Sequence, residues 1–117
     1  MSKSSIIKSF KNTFKGLNFL IKNERNFKIH IVGLVVNLGL LYYFPVALWE
    51  IVIILIACFL VLIMEAVNTA IEHICNFIQP QYDRKIDIIK DIAAAAVLLS
   101  VIIAIIIGTC VYWKYIF

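Results

Sequence analysis

Glu65, Asn68, Thr69, Glu72 and Asn76 recur at offsets of three, four, seven and eleven residues from the first of them. On an α-helix, at ~100° per residue, that spacing gathers all five into one narrow polar stripe. The stripe follows fourteen uninterrupted apolar residues, 51–64, so its deeper acid sits near the end of a hydrophobic span. A carboxylate at a span centre costs ~2.5–3.5 kcal/mol on insertion scales, and less toward the edge. A segment needing only to cross lipid would carry leucine at both acidic positions, so the two charges mark function. They stand ~10 Å apart along the axis at 1.5 Å per residue. That is too far to share one proton or one metal ion, but it suits two tasks along an extended polyphosphate. Glu65 can meet a hydroxyl at the lipid interface, and Glu72, nearer water, can bind a divalent cation through oxygen. The competing explanation is a polar seam between helices, with Glu65 protonated and bonded to a neighbour.

Two further charged positions have ordinary explanations when taken alone. Lys90-Asp91 stands directly before Ile92-Ala93-Ala94-Ala95-Ala96, where lysine can snorkel and aspartate can favour a helix start. The alanine run thins the helix, so that a neighbour or a ligand can approach closely. Glu24, flanked by Lys22, Arg25 and Lys28, reads as a solvated charge. No GxxxxGK[ST], GxGxxG or HExxH run occurs, which excludes the familiar soluble nucleotide folds and the zinc-protease helix. Cys58, Cys75 and Cys110 are scattered without CxxC spacing and read as small apolar residues.

The elements that must position these groups are membrane helices. The chain has 117 residues, 63% of them hydrophobic, well above the ~45–50% of soluble domains. A single all-α membrane domain over 1–117 is expected. Residues 5–24 predict an amphipathic surface helix, with Ile6, Phe10, Phe14, Leu17 and Ile21 in a stripe and lysines on the other faces. Three transmembrane helices follow, at about 29–48, 51–77 and 86–113, the first running past Tyr42-Tyr43-Phe44 toward Trp49. Seven of the eleven Lys/Arg residues precede the first span, three more lie in the 79–91 loop, and the 45–50 turn has none. By the positive-inside rule the N-terminus and the 79–91 loop are cytoplasmic, which turns the acidic stripe toward ATP. The basic charge faces lipid headgroups, and nucleic-acid binding is not expected. A small ion or proton transporter using Glu65 and Glu72 is the alternative function. Against it, both acids cluster at one end without a polar ladder through the other leaflet.

At these residues the chain resembles the prokaryotic diacylglycerol kinase family, which includes undecaprenol kinases. The most specific match is Glu65-Ala66-Val67-Asn68-Thr69-Ala70-Ile71-Glu72, in the form ExxN[ST]AIE, with Lys90-Asp91 eighteen residues beyond Glu72. Asn23-Glu24-Arg25-Asn26-Phe27-Lys28-Ile29-His30 has an ERNxxxH form that looks like the undecaprenol kinase branch. The resemblance implies a homotrimer in the bacterial inner membrane, with active sites shared between chains and MgATP phosphorylating a lipid alcohol, diacylglycerol or undecaprenol. It implies Glu65 as catalytic base, Glu24 and Glu72 as ligands of Mg2+, and Asn68, Lys90 and Asp91 on the nucleotide and its phosphates. Thr69 and Asn76 would support the stripe. The chain departs from the family pattern at Asn76, where aspartate is usual, and at Asp83 after Tyr82, where histidine is frequent.

Overall fold

The computed structural model describes residues 2–117 as four helices: α1 (Lys3–Asn23), α2 (Arg25–Tyr43), α3 (Leu48–Ile78) and α4 (Arg84–Ile116). The last three are each long and apolar enough to cross a membrane. α3 is central, packing most extensively on α4 and less on α2.

The helix ends follow from local chemistry, and they correct the expected boundaries. α2 stops at Tyr43 rather than continuing to 48, because the residue before a proline is pushed out of helical geometry. Phe44, before Pro45, is extended at φ −87°, ψ 148°. Trp49 therefore belongs to α3 and does not close the first span. α3 starts at Leu48, since the Glu50 carboxylate bends back to accept the Ala47 N–H at 3.0 Å, satisfying a free helix-start donor. α4 starts at Arg84, where the Asp83 carboxylate accepts from the N–H groups of Lys85 at 2.9 Å and Ile86 at 3.2 Å. The departure at position 83 thus has a structural task, as a helix N-cap.

α1 and α2 are separated by Glu24 alone, whose extended backbone (φ −104°, ψ 111°) breaks what would otherwise be one helix. No residue of α1 is buried, and the apolar stripe of Ile6, Phe10, Phe14, Leu17 and Ile21 is left uncovered by the chain. α2 is anchored at its start by Phe27, 3% exposed.

The bundle interior is divided by polarity. Between the 44–47 connection and the C-terminal end of α4, Leu41, Ile54, Val111 and Tyr112 form an apolar core, with Phe44 and Ile107 packed against it. Toward the opposite end the buried face of α3 passes through Ala57, Val61 and Leu62 and then becomes polar at Glu65, Asn68 and Thr69. Val52, Ile56 and Ile63 on other faces of α3 are exposed, as lipid-facing or partner-facing positions are.

Candidate active site

The predicted stripe exists and is sheltered. Glu65, Asn68 and Thr69 are buried, Glu72 is half-buried, and Asn76 is exposed where α3 nears its end. Glu65 is 4% exposed although it carries a carboxylate. It lines a cavity of about 340 Å³ with three walls: Asn68 and Glu72 from α3, Asn26 and His30 from α2, and Ala94, Val97, Leu98 and Val101 from α4. The α2 and α3 walls are therefore polar and the α4 wall is apolar. A second cavity of about 360 Å³ continues between α2, α3 and α4, shares His30 and Val101 with the first, and is lined mostly by small and apolar residues. Asn37, on its lining, accepts a hydrogen bond from the Tyr112 hydroxyl of α4 at 2.8 Å.

Within the polar wall the groups are ordered along the helix. His30 Nε2 stands 3.8 Å from Glu65 Oε2. One turn on, the Asn68 amide donates to Glu72 Oε1 at 3.3 Å. That bond fixes which way the amide points and leaves Asn68 Oδ1 buried without a hydrogen-bond partner. A buried orphan acceptor is costly unless a bound group completes it. Lys90, from α4, donates to Asn76 Oδ1 at 2.6 Å. It also borders a small polar depression lined by Gln79, Tyr82, Asp83 and Asp87. Asp91 is exposed and does not line the larger cavity. Glu24 likewise does not line the larger cavity.

Among the described residues, no three His, Cys, Asp or Glu side chains converge as a metal cage. Mg2+ does not need one: with nucleotides it takes one or two carboxylates and completes its shell with phosphate oxygens and water. Glu72 is a carboxylate of that kind with the orphaned Asn68 oxygen as a further hard donor beside it, and Glu24 is a second carboxylate, held against His73 at the next position of α3. The residues present fit such a cation.

Three contacts at or near the site carry no mark in the sequence. His30 was legible only as part of ERNxxxH, with nothing to pair it with Glu65. Asn26 stands in the same run and lines the same cavity. His73, beside Glu72, contacts Glu24 Oε1 at 3.4 Å, a tie across 49 residues that no local periodicity announces.

Residues 11–112 match the family described as prokaryotic diacylglycerol kinase. The chain belongs to that family. Among its relatives, a diacylglycerol kinase of Synechocystis is 36% identical over 110 residues, covering 91% of this chain and 61% of the relative. The chain thus spans less than two thirds of that protein's length. A diacylglycerol kinase of Escherichia coli is 29% identical over 94% of this chain and 90% of its own. An undecaprenol kinase of Bacillus subtilis is 33% identical over 90% of this chain and 85% of its own. The chain is a member of a lipid kinase family, and its three membrane-length helices and bacterial relatives make it a bacterial membrane protein.

Proposed function

We propose that this chain is an integral membrane kinase that transfers the γ-phosphate of MgATP to a lipid alcohol, undecaprenol or diacylglycerol, at the cytoplasmic interface. The observation that carries the reading is Glu65: a buried carboxylate in a cavity whose α2 and α3 walls are polar and whose α4 wall is apolar. Such a cavity suits a substrate that is hydrocarbon with one reactive hydroxyl.

Glu65 takes the proton of that hydroxyl as its oxygen attacks the γ-phosphorus. The new lipid O–P bond forms while the bond to the β-γ bridging oxygen breaks, and ADP departs with that electron pair. The α4 wall at Val97, Leu98 and Val101 holds the hydrocarbon and keeps water from competing as acceptor. Lys90, oriented by Asn76, offsets charge on the β- and γ-phosphates, with Asp91 near the nucleotide and Thr69 packed in the stripe. Glu72 and Glu24 would hold Mg2+, which supplies charge neutralisation at the phosphates. Phosphoryl transfer is mainly positioning and electrostatics, so these groups suffice without a phosphate-binding loop.

The uncovered stripe of α1 suits a helix lying in the membrane surface, and the exposed faces of α3 suit packing of three copies with sites shared between chains. The apolar stretch Ile54, Ala57, Val61 and Leu62 on the buried face of α3 favours a kinase over a transporter, because α3 itself continues no polar ladder beyond Glu65.

The test is phosphate transfer from MgATP by the purified protein in lipid vesicles, with each alcohol in turn, beside Glu65→Gln. Wild type is expected to phosphorylate at least one alcohol, and the variant to lose ~10²–10⁴-fold, the usual contribution of a general base. No transfer by wild type, or an equally active variant, ends the proposal. The ratio between the alcohols identifies the acceptor.

A further inference from the structure

Glu24 occupies an unusual place in the chain, as the single residue between two helices. It is the N-cap of α2, where an acidic side chain ordinarily turns inward to accept an N–H of the first helical turn. Here it makes no such bond. Its carboxylate instead faces the imidazole of His73 at 3.4 Å. The same ring meets Phe19 of α1 edge-on, with centroids 5.7 Å apart and planes at 73°. Among the described residues, His73 supplies the side-chain ties from α3 to both α1 and the break.

Two destinations therefore compete for the Glu24 carboxylate. One is the free N–H groups at the start of α2, a local contact that needs nothing else. The other is the flank of α3 beside Glu72, reached only while a donor there holds it. His73 directly follows Glu72, and at ~100° round the helix its side chain leaves toward α1 while that of Glu72 lines the cavity.

We propose that His73 is a positioning residue, which draws the Glu24 carboxylate off the cap of α2 and holds it against the turn of α3 that carries Glu72, while its ring fixes α1 against α3. This rests on the lipid kinase reading for its consequence, that Glu24 is placed for the divalent cation. The latch itself does not depend on that reading. Without His73 the carboxylate falls back onto the first turn of α2, and Glu24 at the break loses its side-chain tie to α3.

Three variants separate the two contacts. His73→Gln keeps a donor, His73→Phe keeps an aromatic ring without one, and His73→Ala keeps neither. Two readouts apply in vesicles: the Mg2+ concentration for half-maximal phosphate transfer, and the rate of tryptic cleavage after Lys22 and Arg25 without nucleotide. His73→Ala and His73→Phe are expected to raise the Mg2+ requirement roughly tenfold, as for loss of one hydrogen bond to a charged group. His73→Gln should stay within about twofold of wild type on the same scale. Tryptic cleavage should be several-fold faster in His73→Ala and least changed in His73→Gln. The proposal is overturned if His73→Phe matches wild type in its Mg2+ requirement, or if His73→Ala leaves cleavage unchanged. If wild type transfers no phosphate at all, the kinase reading falls, and the cleavage rates still decide the latch.

Discussion

The Tyr115 hydroxyl donates to Glu50 Oε1 over 2.6 Å, joining the last turn of α4 to the first turn of α3 at the end of the bundle away from Glu65. Lys114 pairs with the other oxygen at 3.1 Å, at an angle that leaves it without a formal hydrogen bond. The Ala47 N–H reaches the first oxygen as well. Glu50 is 1% exposed, so a carboxylate that looks like a loop charge is a sealed joint between two helix ends.

Removing the Tyr115 hydroxyl by Tyr115→Phe should lower the thermal midpoint of the protein in vesicles by several degrees. Glu50→Ala should lower it further, because Lys114 then loses its counter-charge. Both should transfer phosphate at wild-type rates well below the midpoint, since neither side chain lies near the Glu65 cavity. Thermal unfolding followed by circular dichroism, beside activity at low temperature, checks this. An unshifted midpoint in both variants would show the joint to be inert.

Lys90 is held by an amide, not by a second charge. Lys90→Ala should therefore lower kcat/KM for ATP by roughly 10²–10³, the scale for removing one preorganised group that meets developing charge. Asn76→Ala keeps the ammonium but frees it, and should raise the ATP KM several-fold with a smaller fall in kcat. Steady-state kinetics with ATP varied at saturating lipid distinguish the two. Asn76→Ala kinetics identical to wild type would remove Asn76 from the site.

Val101 borders both cavities. Val101→Phe should narrow the passage between them and raise the KM for the lipid alcohol several-fold, with the ATP KM nearly unchanged. Val101→Ala should be tolerated by the acceptor. Equal effects of Val101→Phe on both substrates would instead indicate a general disturbance of α4.

What was legible in the chain was whatever repeats locally. The polar stripe follows from helical spacing, and its burial at Glu65, Asn68 and Thr69 confirms that one face of α3 is special. The early end of α2 could have been read from Pro45, because the proline excludes helical geometry at Phe44. The burial of Glu50 could not, since its partner Tyr115 lies 65 residues away and the local sequence shows only a charge after a turn. The Glu24–His73 contact is hidden for the same reason, and the stranded oxygen of Asn68 is visible only once both ends of its amide are accounted for.

The break between α1 and α2 is one residue long, so α1 has a single pivot. Its 21 residues make a rigid arm of ~32 Å. A swing of ~10° about Glu24 would carry the far tip on the order of 5 Å, a large part of the headgroup layer's depth, while the fulcrum beside His73 barely moves. On the proposal that α1 lies in the membrane surface, a small change of backbone angle at Glu24 thus becomes a large change in how deeply the arm rides.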